Sequence, residues 1–153
     1  MTKSAAGNME IVSGLGVFQL PLVRSTLSLM SIAHHVYTAV DCANPVSLAR
    51  FYAEITGWDV GEIEDLEDEW VDLFHNGVRM MAFQKVSNYI PPTWPEGPIP
   101  QQLHFDFHVK DLDIGESKIL AIGATKHEVQ PGTTFRVYLD PEGHPFCLVK
   151  NPQ

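Results

Sequence analysis

Chemistry is most concentrated on one short alternating stretch. In "QQLHFDFHVKD", residues 101–111, His104, Asp106 and His108 take every second position, and Leu103, Phe105, Phe107 and Val109 fill the places between. Successive side chains of a strand point to opposite faces, so the spacing predicts a strand with one apolar face and one face carrying two imidazoles around a carboxylate. Three readings of that polar face stay open. It can be a solvated surface. It can be an internally hydrogen-bonded cluster, since a carboxylate between imidazoles favours their protonated forms. Or it can wall a ligand or metal site, with Asp106 or His108 moving a proton. Alternate strand residues lie about 6.6 Å apart, so two neighbours can share an ion, whereas all three span about 13 Å and do not converge. A catalytic divalent ion needs about three protein ligands. In the best metal site that can be assembled, His35 of "SIAHHVYTAV" joins this strand; His34 and His35 themselves split across two strand faces.

Composition narrows the setting. The chain has 153 residues, enough for one ordinary domain, and its 44% apolar content supports a sizeable core. A net charge of −9 argues against a nucleic-acid partner, which requires clustered Lys and Arg. The run "EIEDLEDE" places six carboxylates between Glu62 and Glu69 and reads as a solvated loop. Two cysteines, Cys42 and Cys147, are too few for a disulfide scaffold and point to a reducing, cytoplasmic setting. Residues 1–30 read as an extension, disordered or loosely packed. The apolar stretch from Ile11 to Val23 is interrupted by Pro21, lacks a basic leader and is too short to span a bilayer, so neither export nor a membrane is expected. Met30 stands directly before the regular pattern and is a second candidate start.

The elements that must position these residues repeat. Alternation from Ile32 to Asp41 predicts a strand, and Asn44-Pro45 is an N-cap with proline at the first helical position. Leu48, Phe51, Tyr52 and Ile55 form one helical stripe ending at Gly57. "WDVGEI" and the hairpin "EWVDLFHNGVRMMAFQKV", turning at Asn76-Gly77, supply three further strands. The proline-rich segment 88–100 reads as a linker, after which the same order begins again. Asp111 or Asp113 caps a helix bearing Leu112, Ile119 and Leu120, and Gly123 ends it; "ATKHEV", "TFRVYLD" and "HPFCLVK" follow. At an offset of 67 Asn44 meets Asp111 and Tyr37 meets His104; at 66 Gly57 meets Gly123, Gly77 meets Gly143, and Met81 meets Cys147. The chain reads as an internal duplication, with modules at 31–87 and 101–150 in a single domain, 31–150. Trp58, Trp70 and Phe74 are assigned to the core. Cys42, ahead of a helix N-terminus, is either a thiol of lowered pKa or a small buried residue.

"DCANPVSLARFYAEITGWDV", "LHFDFHVKDLD" and "YLDPEGHPFCLV" resemble the vicinal oxygen chelate superfamily of glyoxalases, bleomycin-resistance proteins and ring-cleaving dioxygenases, and within it a glyoxalase-like branch. The resemblance covers residues 32–150. It implies an α+β fold of tandem βαβββ modules, a curled, cup-shaped mixed sheet with helices outside. It also implies a metal ligand on the first and last strand of each module, which by register are Tyr37, Met81, His104 and Cys147; only His104 is of the usual type, and His35 can replace Tyr37. The expected function is therefore binding of a small, partly apolar molecule in the cup, walled by His35, Tyr37, Met81, Phe83, Trp94, His104, Asp106, His108 and Cys147, with no cofactor. Trp94 either caps the cup mouth or simply packs. The alternative is a lyase, isomerase or dioxygenase holding one divalent ion (Zn, Ni, Mn or Fe) on His104 and His35. A homodimer is expected, because a module pair leaves edge strands open.

Overall fold

The structure, a computed structural model, describes residues 32–151 and, ahead of them, two short strands, β1 (Val12–Ser13) and β2 (Gly16–Val17). The chain divides into two compact units, Met1–Val36 and Tyr37–Gln153. In the first, β1 and β2 form an antiparallel ladder with Val12 opposite Val17. The expectation for residues 1–30 otherwise lies outside the described residues.

The second unit holds β3 (Thr38–Cys42), α1 (Pro45–Thr56), β4 (Asp59–Val60), β5 (Trp70–His75) and β6 (Val78–Lys85), then β7 (Phe105–Val109), α2 (Leu112–Ala121), β8 (Thr125–Lys126), β9 (Phe135–Leu139) and β10 (Pro145–Lys150). They make two four-stranded sheets of identical order, β3-β6-β5-β4 and β7-β10-β9-β8. In each, the first strand runs parallel to the last and the remaining neighbours are antiparallel. This is the duplication expected from the sequence.

Local signals act where they stand. Asn44 accepts from the Ser47 amide at 2.9 Å, Gly57 closes α1 at φ 69°, and Asp111, not Asp113, caps α2. Asn76 and Gly77 adopt φ of 51° and 75°, the pair of positive angles that a type I′ hairpin requires. Two strands are shorter than expected. The alternation from Ile32 becomes a strand only at Thr38, where pairing with Met81 of β6 begins, and β7 starts at Phe105, leaving Leu103 exposed. Alternation predicts which way side chains point, but a ladder forms only where a partner strand is present.

Both helices lie on one side of their sheets. On α1, Leu48, Ala49 and Tyr52 are fully buried. The Tyr52 ring stacks on Phe83 at 5.5 Å and meets Phe105 and Phe107 of the second sheet at 5.7 and 5.9 Å. One residue therefore joins the cores of both modules. On α2, Gly115 comes so close to Leu148 that a Cβ there would lie 2.9 Å from its Cδ1. Trp70 does not join this core: it is 39% exposed, because the inward parity of β5 belongs to Val71 and Leu73.

Candidate functional site

The helices pack on the face of β7 and β10 that carries Phe105, Phe107, Phe146 and Leu148, so Asp106 and Cys147 point the other way. These two pair directly across the parallel ladder. His104, immediately before β7, completes a group in which one ligand atom from each residue lies within 4.8 Å of the others. His104 Nε2 stands 3.5 Å from Asp106 Oδ1; their side chains are 44% and 52% exposed, whereas Cys147 is buried. Burial, then the Asp106 charge and a hydrogen bond from the thiol to Asp106, push Cys147 up to about 11, so alone it is a protonated thiol and not a nucleophile. A hollow of about 150 Å³ opens beside the group, lined by His104 and Cys147 and by Trp94, Phe135, Val137 and Phe146.

The other expected site residues distribute differently. Trp94 is among the residues lining this hollow, its ring edge-on to His127 at 4.9 Å. His108 is exposed, opposite Val149 and outside the converging group. Met81 and Phe83, expected to line a cup, sit instead in the buried core. The cause is a register shift between β5 and β6 at Leu73/Phe74, where Met80 is the unmatched residue. One extra residue inverts the parity of everything after it. The first-module counterpart of the Asp106–Cys147 pair is consequently Ala39–Ala82, which offers no ligand atom. The Arg79 guanidinium lies over the Tyr37 ring, 5.0 Å from its centroid. His35 is exposed and belongs to the unit Met1–Val36.

A family model described as a glyoxalase-like domain matches residues 37–149. The chain belongs to the glyoxalase-like domain family. No protein of the curated set matches it. Solved structures share the fold at low identity. A glyoxalase/bleomycin resistance protein/dioxygenase family enzyme from Burkholderia phytofirmans is 18% identical, with TM-score 0.53 over 74% of this chain and 95% of its own. The fosfomycin resistance protein FosX from Listeria monocytogenes is 13% identical, TM-score 0.55, over 78% and 91%. A glyoxalase-related enzyme from Fulvimarina pelagi is 17% identical, TM-score 0.55, over 78% and 90%.

For a metal of the kind the fold implies, the donor set of this glyoxalase-like domain is selective. Imidazole nitrogen, carboxylate oxygen and thiol sulfur suit a thiophilic tetrahedral ion such as Zn with one place open. Ligand atoms around such an ion lie about 3.5 Å apart, the separation already present between His104 and Asp106. Mn and Fe, which favour oxygen and imidazole, fit less well. Cys147 would bring the sulfur to that set, where the resemblance alone offers an unpromising position.

A second polar cluster of the domain is not recoverable from residue spacing. Asp140, only 4% exposed, accepts from the Tyr52 hydroxyl at 2.9 Å, from the amides of Glu142 and His144, and faces His144 Nδ1 at 2.7 Å. His144 Nε2 in turn lies 2.9 Å from the Asp41 carbonyl and 2.8 Å from the Tyr89 hydroxyl. Burial lowers the His144 pKa, but the bond and charge of Asp140 outweigh it and the net shift is upward. The "DPEGH" turn thus docks the second module onto the first, and Glu142 adds bonds to the amides of Ala43 and Asn44 at 3.0 and 3.2 Å. Cys42, at the same junction, is fully buried, and burial pushes its thiol up to about 12, so burial defeats the helix N-terminus. A hollow of about 630 Å³ lies between α1 and α2 and has mostly aliphatic walls, Ile55, Ile114 and Ile122 among them. Among the described residues no helix is long and apolar enough to cross a membrane.

Proposed function

We propose that this glyoxalase-like domain binds a small, partly apolar molecule in the cup of its second module, with His104, Asp106 and Cys147 as the polar wall. One observation carries the reading: three side chains able to bind a polar group converge within 4.8 Å beside a hollow whose other walls include Trp94, Phe135 and Val137. An apolar pocket with a few convergent polar groups is the usual form of a small-molecule site. The polar face of β7 and β10 lies opposite the helices, and a second copy of the chain covering it would turn a half-exposed wall into an enclosed one. The homodimer belongs to this reading, as does the cytoplasmic setting suggested by two free, buried cysteines.

The test is ligand screening by NMR on the intact protein, with His104→Ala and Cys147→Ala as comparisons. Binding should perturb Val137 and Cys147 amides and weaken about tenfold in the variants, the loss of one charged or two neutral hydrogen bonds. Ligands that bind elsewhere, or equally well to both variants, overturn the reading.

The donor set supports a second reading, a metal-dependent lyase or isomerase. His104, Asp106 and Cys147 would hold a thiophilic ion, which as a Lewis acid polarises substrate oxygens, while Asp106 or the exposed His108 moves a proton. Metal-free protein incubated with Zn and dialysed should then retain one ion by elemental analysis and lose it in Cys147→Ala. Retention of none removes this reading and leaves the first intact.

A further inference from the structure

A second hollow, about 290 Å³, lies under the linker where it crosses from one module to the other. Gln101, His104 and Pro145 line both this hollow and the cup, so they form the partition between them. Its body is apolar, walled by Ile90, Ile99, Leu103 and Phe105. Its polar end holds Tyr89 and His144, whose hydrogen bonds are already directed to each other, to Asp140 and to the Asp41 carbonyl. The linker over it is tied by its own bonds: the Thr93 amide donates to the Ile99 carbonyl at 2.6 Å, and the Ile99 amide to Thr93 Oγ1 at 3.2 Å.

One group on the partition has no partner. Gln101 Oε1 is buried without a hydrogen bond. An orphaned buried acceptor is uncommon in folded proteins and costs free energy that a donor would recover. Tyr89 and His144 are already bonded, and what Gln101 Oε1 lacks is a donor. Asp41, which also lines the hollow, brings a negative charge that disfavours an anion. A dry cavity of about 150 Å³ is enough for benzene, and this hollow is roughly twice that volume.

We infer that the linker hollow is a binding site separate from the cup, taking a neutral or cationic planar aromatic molecule that donates an N–H to Gln101 Oε1. The aromatic body fills the Ile90–Leu103 side, and the N–H meets that acceptor.

Indole and 1-methylindole, which differ by that N–H, are the probes, titrated into the full-length protein and followed by amide NMR. Indole should saturably shift Ile90, Leu103 and His144, and 1-methylindole should bind at least about fivefold more weakly, the effect of one hydrogen bond. In Gln101→Met, of similar length and without the acceptor, the two should bind alike. Equal affinities in the native protein, shifts confined to Val137 and Cys147 of the cup, or no saturable binding of indole overturn the inference. Shift mapping separates the two sites, so failure here leaves the cup reading standing, and the reverse also holds. The comparison of the two probes needs no variant, so a Gln101→Met protein that fails to fold does not spoil the test.

Discussion

Asp140 and His144 show what a buried polar pair contributes when every partner is present. The carboxylate is 4% exposed and takes two amides, a phenol and an imidazole, so removing it strands several buried donors at once. Asp140→Ala should cost about 3 kcal/mol in urea unfolding, the scale expected when one member of a buried charged network is deleted. The folded-state pKa of His144 is raised above its ordinary 6.5, with burial opposing and Asp140, the Asp41 carbonyl and Glu142 driving the rise. A raised value means that protonation favours the folded state: the contribution is fully present below about 6.5 and is lost as pH climbs through the folded value. The stability difference between the native protein and His144→Gln should therefore shrink from about pH 6 to pH 9. A difference that stays flat across that range would show that the imidazole does not titrate between the two states. The sequence did not point to this cluster, because Asp140 and His144 were read only as the ends of the strands "TFRVYLD" and "HPFCLVK", and their partners Tyr52 and Tyr89 are 88 and 55 positions away.

Among the elements, α2 depends on one side chain. Glu116 accepts from Arg136 Nη1 and the Tyr138 hydroxyl, both at 2.8 Å, and pairs with Lys126 at 2.9 Å, so it ties the helix to β8 and β9. The Lys126 bond, opposed by burial and joined by Tyr138 and Arg136, lowers the carboxyl to about 2. A depressed carboxylate pKa stabilises the fold above the ordinary value near 4.5, and the contribution disappears as pH falls toward about 2. Glu116→Gln should cost about 1–2 kcal/mol at neutral pH, by chemical denaturation, and should flatten the acid limb of the stability profile below pH 4.5. The cap of α1 is a separate case. Asn44→Ala removes the bond to the Ser47 amide and should cost about 1 kcal/mol by the same measurement. The caps were legible because a capping bond spans three residues, whereas the Glu116 anchor joins residues as far apart as 22 positions.

Across the whole molecule the two modules are expected to unfold as one. Tyr52 lies on the first module's helix, yet its ring touches Phe105, Phe107 and Phe146 of the second sheet and its hydroxyl holds Asp140. Tyr52→Ala should cost about 3–5 kcal/mol, the range for deleting a large buried aromatic. Tryptophan fluorescence and far-UV circular dichroism should trace a single transition in the native protein. Two transitions in the native chain would show that the modules are stable independently. Sedimentation should give twice the chain mass of 17.1 kDa for the proposed homodimer, and a monomer at all concentrations would remove the second copy from the functional reading.

Sequence alone determined the repeated order of strands and helix, the caps at Asn44 and Asp111, the turn at Asn76-Gly77 and the separation of His104 and Asp106 from the apolar face. Each of these rests on interactions within a few residues or on the period of a single strand. Tertiary structure decided which residues meet. A single unmatched residue at Met80 turned Met81 and Phe83 into the core, and a parallel pairing across 41 positions set Cys147 beside Asp106. Register between distant strands depends on bulges and on the packing of both faces, and neither leaves a periodic trace in the chain. The same dependence explains Gln101: the burial of its Oε1 follows from a linker folding over two modules, a geometry that residue type and spacing do not encode.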